Sequence, residues 1–257
     1  MHWQLTESSA TGSVGTGHIE VFPTQPDRPA CLQIGQNEPK AWEFAAVCPS
    51  PQHSQVAEEI YSRQRDLICR YRQTESDSFA FQLDWQLIPP NGPFALGAEL
   101  WLSVQTGLLD THPELNVTCH ALGGDATVKD CSSSQFGDHS GWRMLAHPDI
   151  SDEALAGDAE ARGPAAMICS GQAGSGVLTG LWLIEPTDQR HAQLCPAASK
   201  ADSGGTALSV RLFGHFMEKG VIRRGRMRFL LADRALIQAD IVEAYRQFAH
   251  SPLPLTA

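Results

Sequence analysis

From Phe79 to Leu87 the chain alternates: Phe79, Phe81, Leu83, Trp85 and Leu87 are interleaved with Ala80, Gln82, Asp84 and Gln86. A helix would place apolar residues three and four apart, so a period of two predicts a strand with one buried face. Pro89-Pro90-Asn91-Gly92-Pro93 ends it, because proline has no ladder donor and Asn and Gly favour turns. Leu100, Leu102 and Val104 then alternate with Glu99, Trp101, Ser103 and Gln105, which predicts a second strand as far as Thr106. On this pattern Trp85 belongs to the core, and Trp101 shares its face with Glu99, Ser103 and Gln105.

The same grammar runs through the rest of the chain. Short strands are predicted at His18–Phe22, Cys31–Ile34, Trp42–Val47 and Asp66–Tyr71, the last forming a hairpin with the strand that starts at Phe79. Gln55–Ile60 reads as a short helix or a turn. Further strands are predicted at Leu115–Ala121, Trp142–Ala146, Ala165–Cys169, Val177–Glu185 and Gln193–Cys195. Ala207–Met217 and Val221–Leu231 read as a hairpin around Glu218-Lys219-Gly220, with Gly220 in the left-handed position that a short loop requires. Ile237, Ile241, Val242, Tyr245 and Phe248 follow helical spacing. They predict a helix over 238–249 that ends before Pro252, since proline disfavours helix at the residue preceding it. Residues 1–17, rich in Ser, Thr and Gly, read as a flexible arm ahead of one domain over 18–257. Residues 123–163 have many Gly, Ser and Asp, and the acidic segment 149–161 reads as a surface helix or loop.

Many strands, one clear helix and no alternating βαβ pattern predict an all-β fold: a large antiparallel β-sandwich carrying one C-terminal α-helix. The 257 residues suffice for a substantial core. A formal net charge of −10 argues against a nucleic-acid partner, which requires a positive field to displace counterions. The N-terminus lacks a basic and apolar leader, and no apolar run reaches the roughly 20 residues of a membrane helix. A cytoplasmic protein without a membrane partner is the expectation. The seven cysteines are dispersed and never spaced as CxxC, which predicts free thiols with no metal or cofactor role. Phosphate-loop, dinucleotide, GxSxG and HExxH patterns are absent from the sequence.

The run D-L-I-C-R-Y, then F-A-F-Q-L-D-W-Q-L-I, then F-M-E-K-G-V-I-R-R resembles uncharacterised bacterial β proteins. With the chain's size and strand order, it is similar to the large sandwich of galactose-mutarotase-like proteins over about residues 55–231. The resemblance implies that supersandwich fold. The asparagine- and histidine-rich sugar-site signatures of true mutarotases are missing, so it implies no catalytic residue.

Candidate chemistry gathers on two strands. Arg224, Arg226 and Arg228 fall on one face of Val221–Leu231, where guanidiniums can receive carboxylate or phosphate bidentately, pair internally or guard a sheet edge. Across the predicted hairpin His215 faces Arg223, which favours a neutral imidazole able to act as base or ligand, with Glu218 beside it on the turn. Trp101 is the best candidate for an outward ring on which a sugar stacks. Asp84, Glu99, Asp110 and Glu114, with His112 and His120, are further acid/base candidates. These residues support a carbohydrate-associated binding protein, with a saccharide or anionic small molecule as ligand. A sugar epimerase or lyase using a His/carboxylate pair and a non-catalytic scaffold are the alternatives.

Overall fold

The computed structural model describes residues 1–35, 40–51, 53–122, 138–139, 142–145, 166–173, 176–185, 188, 193–196 and 207–252. Cys131, the acidic segment 149–161 and the Gly174-Ser175 pair lie outside the described residues. The described residues form antiparallel sheets in a sandwich-like arrangement, as the alternation predicts, with one helix.

A five-stranded sheet is built in chain order from β1 (Trp3–Leu5), β2 (Ala10–Val14), β3 (Gly17–Val21), β4 (Ala30–Ile34) and β5 (Lys40–Phe44). Two of these strands fall within 1–17, the segment read as an arm. The reason is alternation hidden by small residues: Ala10, Gly12 and Val14 face inward and pair with Val21, Ile19 and Gly17. The run 42–47 is also not one strand. Ala45, at a left-handed φ of 50°, breaks it, and β6 (Ala46–Ser50) leaves for another sheet.

A nine-stranded sheet is the platform of the fold. It contains β7 (Ala57–Arg63), β8 (Asp66–Tyr71), β9 (Ala80–Ile88), β10 (Phe94–Gln105), β12 (Asp138–His139), β13 (Trp142–Leu145), β14 (Ala166–Ala173), β15 (Gly176–Ile184) and β18 (Ile222–Ala232). Its order is β12-β13-β14-β15-β18-β10-β9-β8-β7. The segment 55–60, read as a helix or turn, lies largely in β7. An edge strand paired on one side only tolerates the exposed Glu58 and Glu59 that obscure its alternation.

β16 (Gln193–Pro196), β17 (Ala207–Phe213), β11 (Glu114–His120) and β6 make a four-stranded sheet in the order β16-β17-β11-β6. The predicted hairpin of residues 207–231 is therefore absent. β17 pairs with β11 and β16, whereas β18 pairs with β10 and β15. At Gly214, with φ 77°, the chain leaves one sheet and crosses to the other. A turn-forming E-K-G between two apolar runs has the same local sequence whether the strands pair or part.

All three sheets contribute to one core. Trp42 and Phe44 from the small sheet meet Trp85, Trp142, Trp182 and Phe229 from the large one. Gly180 permits this approach: a Cβ there would lie 2.8 Å from the Trp42 ring. The helix α1 (Gln238–Ala249), with the predicted bounds, packs on the opposite face. Its Ile241, Ala244, Tyr245 and Phe248 cover Ile168, Leu181, Leu183 and Leu230. At its start the Asp240 carboxylate accepts the Ile237 N–H at 3.1 Å, which satisfies an orphan donor and suits the helix dipole.

Candidate functional site

The antiparallel register sets the side chains of the outer face of the large sheet in rows. Asp66, Gln86, Glu99 and Arg228 stand opposite one another on β8, β9, β10 and β18. The next row is Ile68, Asp84, Trp101 and Arg226, and the one after it Arg70, Gln82, Ser103 and Arg224. This is the polar half of the alternation that buries Leu83, Trp85, Leu100, Leu102 and Met227 on the other side. The helix covers one end of the face, and the rows divide accordingly.

Under the end of α1 the side chains are closed in. Arg226 is 1% exposed. Its Nε donates to Glu185 Oε2 at 2.8 Å, Nη1 to Ser251 Oγ at 2.7 Å and Nη2 to the Phe248 carbonyl at 2.8 Å. Arg228 donates to Glu99 Oε2 from Nε at 2.9 Å and from Nη2 at 2.6 Å. Two guanidiniums and two carboxylates balance, which a buried charged cluster needs. The donors of Arg226 are thus taken by the chain itself, whereas Arg228 is bound to Glu99 through Nε and Nη2 and also lines a cavity of about 300 Å³ beside α1.

Trp101 has the predicted face but not the predicted exposure. It is 8% exposed, its Nε1 donates to Glu99 Oε1 at 3.1 Å, and the Arg226 guanidinium lies 5.2 Å from its ring centre. Alternation reports which side a ring points to; it carries no information on the helix that later lies there.

Away from the helix the face is open. A cleft of about 250 Å³ has Arg70, Gln82, Ser103, Gln105, Ile222 and Arg224 in its lining. Arg224 is exposed and holds no hydrogen bond or ion pair among the described residues. Arg70 meets Glu58 at 3.3 Å with both side chains about half exposed, a pairing that a ligand can displace at little cost. Between them Ser103 is 7% exposed and its Oγ has no hydrogen-bond partner. Gln82 donates to Asp84 Oδ1 at 2.7 Å, leaving its carbonyl oxygen as an acceptor. Burial pushes the Asp84 carboxyl above its usual range; the Gln82 bond and the nearby Arg224 offset this in part, and Asp66 adds to it.

A smaller cleft of about 140 Å³ adjoins the first through Arg224 and contains Asp188, His215 and Arg223. His215 does meet Arg223, as the hairpin register predicted, although the hairpin does not exist: the crossover itself brings them together. The Arg223 guanidinium donates to Nε2, and Nδ1 lies 3.0 Å from the Phe213 carbonyl. Arginine only donates, so Nε2 accepts and Nδ1 carries the proton. Both ring nitrogens are therefore engaged, which argues against His215 as a free general base. Asp188 Oδ2 accepts the Arg226 backbone N–H at 2.7 Å. Burial raises its acid to about 7, against the Arg226 N–H bond and with repulsion from Glu185. Sequence reasoning missed Asp188, because its short segment shows no periodicity.

The remaining candidates do not converge with these. Glu218 is exposed on the crossover turn, where its carbonyl accepts the Val221 N–H at 3.2 Å. Glu114 pairs with Arg211 at 3.1 Å in the four-stranded sheet. His120 belongs to the same sheet, and His112 is exposed beside Phe216. Asp84 and Glu99 are diagonal neighbours on paired strands, but Glu99 is committed to Arg228. No group of His, Cys, Asp and Glu able to hold a metal occurs among the described residues. Cys31, Cys48, Cys69, Cys119 and Cys169 are free thiols, and burial pushes the Cys69 and Cys169 thiols up to about 12.

Site and fold together define a β-sandwich with a polar cleft on the outer face of its large sheet. No known family model matches the chain, and no curated protein matches it. Among solved structures it is similar in fold to a putative aldose 1-epimerase from Klebsiella pneumoniae, at 10% identity and a TM-score of 0.45, covering 100% of this chain and 95% of that one. It is also similar to a putative kojibiose phosphorylase from the human microbiome, at 7% identity and a TM-score of 0.43 over 96% of this chain. A polysaccharide lyase matches at 10% identity and a TM-score of 0.41 over 91% of this chain. The chain spans only 32% and 35% of the length of the last two. The likeness concerns architecture and assigns no residue.

Proposed function

We propose that the protein binds an acidic saccharide in the open cleft, over Arg70, Gln82, Ser103 and Arg224. One observation carries the reading: the Ser103 hydroxyl in the lining of the cleft is without a hydrogen-bond partner, in a row where the guanidiniums of Arg70 and Arg224 stand on either side. A buried hydroxyl left unpaired costs about 1–3 kcal/mol, and a ligand hydroxyl that meets it recovers that cost. Strands lie about 4.8 Å apart, so Arg70 and Arg224 stand about 14 Å apart at the backbone, a span longer than one sugar ring. Arg224 receives a carboxylate or sulfate bidentately, and Gln82 and Ser103 read hydroxyls.

A thermal-shift series with glucuronic acid, glucose and glucuronic-acid oligosaccharides tests this. At a hundred times the dissociation constant a ligand stabilises by about 2.7 kcal/mol, or roughly 5 °C and more in Tm. The acidic compounds raise Tm and glucose does not, and Arg224→Ala and Ser103→Val abolish the rise. A rise that survives both substitutions, or one given equally by glucose, overturns the reading. Turnover of any of these compounds would move the protein to the epimerase or lyase alternative.

A further inference from the structure

Half of the large hydrophobic side chains that stand exposed among the described residues fall on two adjoining segments at one end of the cleft. They are Leu108 (48% exposed), Leu109 (79%), Phe216 (48%), Val221 (38%) and Ile222 (58%). The two segments are tied together. The Gly220 N–H donates to the Thr106 carbonyl at 3.0 Å and the Met217 N–H to the Thr111 carbonyl at 2.8 Å. The patch is continuous with the cleft, because Ile222 lines it beside Gln105 and Arg224. Scattered exposed apolar residues need no explanation, but a cluster at the mouth of a polar site marks an interaction surface.

Resting on the binding reading above, we infer that the ligand is an amphiphile: its acidic sugar head lies on Arg70, Gln82, Ser103 and Arg224, and an apolar tail runs over Ile222, Val221, Leu108 and Leu109. The charges favour this occupant. Two guanidiniums attract an anionic head on a molecule whose net charge, those two included, is −10. That net charge opposes approach to an anionic lipid surface, which favours a single amphiphile over an anionic bilayer. A second copy of the chain is a poorer fit, since such an interface engages roughly 20–30 residues a side. The five apolar residues are interrupted by Asp110, His112, Glu218 and Lys219.

Calorimetric titration with glucuronic acid and with octyl glucuronide, both below micelle-forming concentration, tests the inference. Octyl glucuronide binds about tenfold tighter or more, the effect of taking roughly two methylene groups out of water. In Leu108→Ser/Leu109→Ser that gain falls below about threefold, while glucuronic acid binds as to the native protein. Equal affinity for the two compounds in the native protein overturns the inference and leaves the binding reading standing. No binding of either compound overturns both. Sedimentation with neutral phosphatidylcholine vesicles that persists in Arg224→Ala overturns the inference in favour of a membrane surface.

Discussion

Arg226 and Asp188 show how one position serves the fold through two different atoms. The Arg226 side chain is held by Glu185, Ser251 and the Phe248 carbonyl, while its backbone N–H is held by Asp188. Where β15 ends and can no longer supply a carbonyl, the Asp188 carboxyl takes over as acceptor. Arg226→Ala removes the guanidinium that Glu185 pairs with and leaves Glu99 with Arg228 alone, a loss of about 3–5 kcal/mol. Urea unfolding reads this as a fall in midpoint at unchanged slope. Asp188 acts in the opposite sense. Its acid ionises near 7 in the folded protein against an ordinary 3.8, so the unfolded state ionises first as pH rises. The contribution of Asp188 to stability is therefore lost between about pH 4 and pH 7, with no further loss from this group above. Asp188→Asn keeps an oxygen for the Arg226 N–H and removes the ionisation. It is stabilised relative to the native protein by about 1–3 kcal/mol above pH 7, allowing for partial exposure, and equal to it at pH 4. Denaturation midpoints across that range give the comparison, and a constant difference at both ends would refute the assignment.

Among the strands and the helix, the alternation of β9 and β10 was enough to give their buried faces and the placing of Trp85 in the core, while their pairing with each other was left open. It was equally enough to put Trp101 and the three arginines on the opposite face. What covers that face was not legible, because the helix is distant in sequence and its apolar stripe does not name the strands it will cover. The crossover between β17 and β18 was hidden for a related reason: pairing partners are chosen by the whole sheet, while turn signals are local. Small residues carried information that hydrophobic patterning overlooks. Gly180 sits where Trp42 crosses β15, with ring atoms at 2.8 and 2.9 Å and Cys169 Sγ at 3.0 Å from any Cβ placed there. The Trp42 ring is held by its own bond to the His120 carbonyl at 2.8 Å and has little room to yield. Gly180→Ala therefore destabilises by about 1–3 kcal/mol through overpacking. A substitution that left the unfolding midpoint unchanged would mean that the two sheets adjust their separation freely.

Taken together, the sheets divide the work between two faces of one platform. The inner face of the nine-stranded sheet meets both smaller sheets in a continuous apolar core, so no sheet has an interior of its own. The outer face has an apolar part under α1, a charge-neutral cluster at the helix end and an open polar cleft beyond it. Because the core is shared, the sheets should lose structure together. Trp42 reports on the five-stranded sheet, and Trp85, Trp142 and Trp182 on the large one; all four are buried in the same cluster. Their fluorescence change on urea unfolding should coincide with the loss of strand signal by circular dichroism in a single transition. The outer face makes a contrasting prediction. Ser251→Ala removes an acceptor from Arg226 and a contact with Arg228, yet it touches none of the inner core. It should lower the midpoint modestly, by about 1 kcal/mol, without splitting the transition. Two separated transitions in the native protein would mean that one of the small sheets holds its own interior, and the shared core would then not be what joins the strands into one cooperative unit.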